Sequence, residues 1–419
     1  MADIAWETLL ELDIDTCFGV VGGGAMFLDD GLRASSGMRK IFNHHEQASA
    51  MAAEAFARYS GKPACVCVTS GPGGTNAING VQGAWADSIP MVVMSGFPRW
   101  ETTALSSGLD IRTRGVQEND IIRMVSGITK YAVRVLDPLA IRSELTHAYR
   151  LAMEGRRGPV WIEVPLNIQG QVVDTSRLIP CGPSAKKEYP SLGCQIKELE
   201  SMLRMSKRPC LLTGSGIRSG DCEALFRKFI ERVRIPIVGG WQQGDICFLN
   251  QDRYFGTSGS PGPRAGNFIL QNADLILILG NSLSHYQTGF NQEAFARDAT
   301  LCMVDAQADE GKKPGLSIHF FIESDLKGFF STAESMENIS ASADWMSYCK
   351  AVYTRFSVYE SRKTNSHLLV SQADFWECFF EKAPKDAVIA LGNSGCIAGA
   401  LYKGVYRQVP RDGRCSVEA

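Results

Sequence analysis

No stretch of these 419 residues is apolar for long enough to cross a bilayer. The longest apolar runs, such as LILIL at 275–279, fall far short of the roughly 20 residues a spanning helix needs. No run of lysine and arginine forms a basic stripe, and the net charge is only −2, so nucleic acid is not indicated as a partner. Cysteine is plentiful at 13, but no two fall in a CxxC spacing. That pattern leaves out a zinc ribbon and a thioredoxin-type pair. Cys65 and Cys67 would share one face of a strand, where neighbouring cysteines do not readily bridge. Reduced, buried small hydrophobes are the expected role for most of the set. The opening MADIAWETLLELDID is acidic and amphipathic, without the basic start and apolar centre of a signal peptide. A cytoplasmic protein with no membrane partner is expected.

What is present is an alternation. TCFGVV (16–21), RKIFN (39–43), ACVCVT (64–69), PMVVMSG (90–96) and PVWIEVP (159–165) are short, apolar and bounded by Gly or Pro. Helix-length segments such as EQASAMAAEAFARYS lie between them. Strand-helix alternation predicts an α/β fold of doubly wound parallel-sheet, Rossmann-like modules. Three such modules are expected in series, the last incomplete. The first covers 1–170. A Pro-bearing linker follows at 171–190. A central module with RPCLLTG, RIPIVGG, ADLILILG and TLCMVDA covers 191–330, and a linker that continues as a helix covers 331–368. A third module opens at 369–419, too short to complete a core of its own.

Three motifs could carry chemistry. HHEQAS places Glu46 at the head of an alanine-rich helix. The zinc-protease pattern HExxH fails there, because Ser49 stands where the second histidine belongs. A carboxylate favoured by the helix dipole is the plain alternative. Small residues on nearly all faces of the helix would pack closely, however, and would leave that carboxylate partly buried and in need of a partner. TSGPGGTNAING, 69–80, follows a strand and opens a helix. It looks like a phosphate cradle or an ordinary turn, yet fits neither GK[ST] nor GxGxxG nor GxSxG. GSGIRSG, 214–220, is one residue longer than a dinucleotide fingerprint, and no acidic ribose anchor is evident.

Taken in order, the motifs resemble the thiamine-diphosphate-dependent decarboxylase and synthase superfamily, and most of all the acetolactate synthase large subunit. The series is FGVVGGGAMFL (18–28), NHHEQASAMAAEAFAR (43–58), TSGPGGTNAINGVQGAWADSIPMVVMSG (69–96), GVQENDI (115–121), ITKYAVRV (128–135) and GPVWIEVPLNIQ (158–169), with ADLILILGNSL (273–283) further on. The resemblance implies a pyrimidine-binding first domain, a central Rossmann-like domain and a diphosphate-binding third domain. It implies that Glu46 shares a proton with the coenzyme's aminopyrimidine and so activates the thiazolium carbon for attack on a 2-keto acid. It further implies that Gly22 and Gly23 let the backbone approach the cofactor or substrate. Pro72, Gly73 and Asn76 would line the pyrimidine end, which corrects the phosphate reading of that loop, and Gln117 would lie near the reactive end. A homo-oligomer with its site between subunits is implied, as is a place in branched-chain amino acid biosynthesis.

There are departures. Val21 replaces the family's proline and Val116 its phenylalanine before Gln-Glu. FAD would have to use GTSGSPGPRAGN (256–267), with Arg264 the residue able to serve. No GDG followed by asparagine exists for the diphosphate and Mg2+, whose site is therefore expected outside this chain; no metal residue is assigned. Either a companion chain supplies that half, or the sequence is a truncated product. The expected activity is decarboxylation of a 2-keto acid with carbon-carbon ligation, a transferase or lyase reaction. The alternative is a catalytically inactive fragment or regulatory subunit.

Overall fold

The computed structural model describes residues 1–183, 187–240, 252–260, 262–356, 370–384, 387–392, 395–402 and 417–418. Most of the terminal RDGRCSVEA and the centre of GNSG (392–395) lie outside the described residues. The chain divides into two compact units, Met1–Lys187 and Glu188–Ala419.

The first unit is a six-stranded parallel sheet of β1 (Thr16–Gly19), β2 (Arg39–Phe42), β3 (Cys65–Val68), β4 (Met91–Phe97), β5 (Tyr131–Arg134) and β6 (Pro159–Pro165). The order across the sheet is β2-β1-β3-β4-β6-β5, every pair parallel. β3 shows why its run is unbroken in apolarity. Successive side chains of a strand point to opposite faces, so a sheet covered on both sides wants every residue apolar. Cys65 and Cys67 enter one core with Trp6 and Leu9 of α1 (Ala2–Glu11), Leu28 and Leu32 of α2 (Met26–Ala34), and further helix residues. Val66 and Val68 enter the other, with Ala50, Ala53 and Ala57 of α3 (Glu46–Ser60) and Ala77, Val81 and Ala84 of α4 (Pro72–Asp87). None of the described cysteines is bridged, and the thiols of Cys17, Cys65 and Cys67 are buried.

Within this chain α3 is buried on one face only. Ser49, Ala50, Ala53 and Ala57 face the sheet and α4, while Ala48 and Met51 are exposed. Close packing on nearly all faces, which the alanines suggested, is therefore not met inside one copy. α3 and α4 cross tightly where a β-carbon on Gly80 would lie 2.6 Å from Ala50 Cβ.

In the second unit β7 (Pro209–Thr213), β9 (Ile237–Gly239), β10 (Tyr254–Thr257), β11 (Leu275–Leu279), β12 (Thr300–Asp305) and β13 (Phe320–Glu323) form another parallel sheet. Its order is β10-β9-β7-β11-β12-β13, the doubly wound order that reverses between β7 and β11. Leu275, Leu277 and Leu279 of β11 face one core and Ile276 and Ile278 the other. A two-residue strand β8 (Val233–Arg234) pairs with β14 (Ile339–Ser340). The helix Ala343–Phe356 follows and packs on this unit through Trp345, Cys349 and Val352, with Trp345 Nε1 donating to the Pro209 carbonyl at 2.9 Å. Among the described residues no helix is long and apolar enough to cross a membrane.

Candidate active site

In the first sheet the strand order reverses between β1 and β3, so the loops leaving these two strands flank a crevice at their carboxyl ends. Glu46 reaches this region from the start of α3. His45 caps that helix: its backbone is extended and its Nδ1 accepts from the Gln47 amide at 3.1 Å. Glu46 thus falls in the first turn, where the free N–H groups favour an anion. It is half-buried. Its Oε2 accepts from Asn76 Nδ2 at 3.0 Å, and no hydrogen bond to its Oε1 is found among the described residues. Oε1 lies 3.4 Å from where a β-carbon on Gly73 would stand, in ordinary contact distance.

α4 can start where it does because Gly71 takes φ 59° and ψ −117°, after which Pro72 fits the first helical turn. Gly71 is also forced by a neighbour. A β-carbon there would be 2.5 Å from the Gln117 carbonyl oxygen. Gln117 itself is exposed and sits at φ 55°, a left-handed conformation rare for a non-glycine residue. Asn119 Nδ2 donates to the Gly71 carbonyl at 3.4 Å.

The glycine loop after β1 joins the same centre through Thr69. A β-carbon on Gly22 would fall 2.4 Å from Thr69 Cβ, and one on Gly73 would fall 2.7 Å from Thr69 Cγ2. Gly24 N donates to Thr69 Oγ1 at 3.0 Å. Gly22 N donates to Asp29 Oδ2 at 3.0 Å; burial raises the Asp29 pKa, against the pull of that N–H and of the Cys67 thiol. Gly23 differs from its neighbour, since nothing stands within 4 Å of where its β-carbon would be. Gly22 therefore answers to Thr69, while Gly23 borders open space.

The structure brings Glu46, Pro72, Gly73 and Asn76 together, sets Gln117 against Gly71, and ties Gly22 in through Thr69. Sequence reasoning missed Thr69 and Glu118. The one available signal for Glu118 was its place directly after Gln117 in GVQENDI. The carboxylate is buried and accepts four backbone N–H bonds, from Ala104 at 2.9 Å, Leu105 at 3.1 Å, Arg114 at 3.0 Å and Gly115 at 2.9 Å. Burial alone would raise its pKa; those four donors outweigh it and hold the group below the usual carboxylate range.

A parallel doubly wound sheet with a carboxylate on a helix start and a glycine turn opposite places the chain among the α/β proteins of Rossmann-like architecture. Residues 1–122 match the model described as thiamine pyrophosphate enzyme, N-terminal TPP binding domain, and residues 196–330 match thiamine pyrophosphate enzyme, central domain. The chain belongs to the thiamine pyrophosphate enzyme family. It is similar to the acetolactate synthase large subunit of Lactococcus lactis, 32% identical over 351 residues, which are 82% of this chain and 59% of that protein. It is similar also to acetolactate synthase 3, chloroplastic, of Brassica napus, 31% identical over 342 residues, 80% of this chain and 50% of that one. The mitochondrial acetolactate synthase of Schizosaccharomyces pombe is 28% identical over 392 residues, 88% of this chain and 57% of its own. The chain thus spans between half and three-fifths of the relatives' length.

Proposed function

We propose that this chain contributes the pyrimidine-side half of a thiamine-diphosphate site that decarboxylates a 2-keto acid and ligates the remaining carbons, a transferase or lyase reaction. The observation that carries the reading is Glu46. One of its carboxylate oxygens is fixed by Asn76, and the other, beside Gly73, has no hydrogen bond among the described residues. A coenzyme ring fits this arrangement: a half-buried acceptor, a glycine packed against Thr69, and open space at Gly23. When bound, thiamine diphosphate supplies a carbon acid that adds to 2-keto acids and takes up the electrons freed with carbon dioxide.

The residues of this chain have separate tasks. With the coenzyme bound, Glu46 would hold and exchange a proton at Oε1, which is general acid-base work by a half-buried carboxylate. Asn76 orients that carboxylate. Gly22 and Gly73 keep the two loops close against Thr69 without side chains in the way, Pro72 starts the helix that carries Asn76, and Gln117 borders the opening. Among the described residues no group of three or more His, Cys, Asp or Glu side chains is set to hold a metal ion, so Mg2+ and the diphosphate are given no residue here. Arg264, on which an FAD site was expected to rest, is exposed and has its guanidinium 5.0 Å over the Phe356 ring; flavin is given no residue either.

A second copy of the chain is the proposed cover for the outward side of the site, because Val21, Phe42, Met51 and Val116 are exposed there or on the adjoining helix. The test of the main reading is Glu46→Gln in an assembly that turns over a 2-keto acid. Loss of about 100-fold or more in rate is expected, the usual scale for removing a general acid or base. Unchanged turnover sinks the assignment. Failure of the parent chain to bind thiamine diphosphate with magnesium would favour the inactive alternative.

A further inference from the structure

We propose that Glu118 is a positioning residue for this site: its buried carboxylate builds the 104–118 loop and thereby holds Gln117 in place against Gly71. The inference rests on the reading that Gln117 belongs to the cofactor site.

Four backbone donors converge on one carboxylate, and they come from two separate pieces of chain. Ala104 and Leu105 open the short helix α5 (Ala104–Ser107), while Arg114 and Gly115 form the turn just before Gln117. No other side chain reaches both pieces through more than one bond among the described residues. An ionised group in a dry place is stable only when it is fully hydrogen-bonded, so the two pieces stay together as long as the carboxylate is charged. Gln117 lies between Gly115 and Glu118 with little freedom left. Its left-handed backbone is a conformation that a non-glycine residue keeps only where its surroundings impose it. Its side chain is exposed and does not anchor it.

The other end of the stretch is pinned as well. Asp120 Oδ1 takes Arg134 Nη2 at 3.2 Å, and Arg134 is bonded through Nε to Glu163 of β6. The same guanidinium lies 4.5 Å over the Phe97 ring and 5.6 Å over the Trp100 ring. Between these anchors Asn119 reaches the Gly71 carbonyl. Residues 118, 119 and 120 each make a bond that fixes the loop, and 117 is the residue they deliver to the crevice.

The experiment uses the full chain with Glu118→Gln, Gln117→Ala and the double variant, each checked for folding by circular dichroism. Hydrogen exchange reads the loop without any ligand. Glu118→Gln is expected to speed exchange at amides 104, 105, 114 and 115 by tenfold or more, with β3 and β4 unchanged. Affinity for thiamine diphosphate with magnesium, measured on the assembly that turns over a 2-keto acid, reads the consequence. Each single variant should weaken binding, and the double should bind no worse than Gln117→Ala alone, because Glu118 acts through residue 117. Unchanged loop exchange, or losses in affinity that multiply, overturns the inference. Should Glu118→Gln not fold, Glu118→Asp keeps the charge and is expected to show the same effects in smaller degree; parent-like exchange and affinity there would also overturn it. If an assembly that turns over a 2-keto acid binds no thiamine diphosphate, the functional reading fails, and the exchange result alone judges the loop.

Discussion

Glu163 is only 1% exposed within the first sheet, and burial pushes its carboxyl pKa up to about 8 although the Arg134 guanidinium beside it pulls the other way and Asp120 adds repulsion. In the unfolded chain the same group titrates in the ordinary carboxylate range. Folding therefore takes up a proton between that range and about 8, so its contribution to stability is full in acid and declines as pH rises through that window. Glu163→Gln is expected to lower the melting temperature overall, by loss of the Arg134 contact, yet to flatten its decline between about pH 5 and about pH 8. Melting curves across that range decide it; parallel slopes in variant and parent would show that Glu163 stays ionised beside Arg134. Residues of this kind set the limit of what the chain text conveys. Glu46 was readable because a carboxylate at a helix head in an alanine run is locally odd. Thr69 and Glu118 were not, because their partners are glycines and backbone amides that only the folded loops bring near.

The pairing of α3 with α4 is the element-level contact on which Glu46 and Asn76 depend, since each helix carries one of the two. It is set by the absence of a side chain at Gly80, where a β-carbon would also fall 2.8 Å from the Met51 backbone nitrogen. Backbone cannot step aside as a flexible side chain can. Gly80→Ala is expected to destabilise the chain by about 1–3 kcal/mol, the usual cost of overpacking, as measured by urea unfolding. A neutral result would mean that the helices can separate without loss. The same scale explains which strands were legible. The central strands announce themselves because both faces are covered. Of the four edge strands only β2 stood out beforehand. β5 is half-buried along its length, β13 lies partly open, and β10 is interrupted by Gly256 at φ 81°. An edge strand has less need of unbroken apolarity, so its pattern fades into that of a loop.

At the scale of the whole molecule, the exposed apolar residues near the site are the main feature that one copy leaves unexplained. Val116 is 84% exposed, Val21 61% and Phe42 57%, and Met51 stands out from the open side of α3. Single exposed apolar residues are ordinary; a group of them at one end of a sheet marks a contact surface. Sedimentation velocity is expected to find a dimer or larger assembly, and Met51→Glu to shift it toward monomer with an unchanged circular dichroism spectrum. A parent chain that sediments as a monomer at every concentration removes the shared-site part of the reading. The parallel α/β character was visible in the alternation of strands and helices, and the two six-stranded sheets bear it out. The outward face of α3 could not be read in the same way, because alanine serves equally for burial within a chain and between chains.

The two sheets reverse their strand order in the same manner, and both pack tightly beside their glycine loops: in the first, a methyl at Gly96 would stand 2.0 Å from the Gly24 carbonyl oxygen. In the second unit Gly214 and Gly280 meet backbone to backbone, so a single methyl at 214 would run into the Gly280 carbonyl at 2.1 Å. In the first, Gly23 looks out on an empty margin. Within the first glycine loop the frame is thus bolted at Gly22 and Gly24 and left ajar at Gly23, the one of the three where an added methyl would meet nothing.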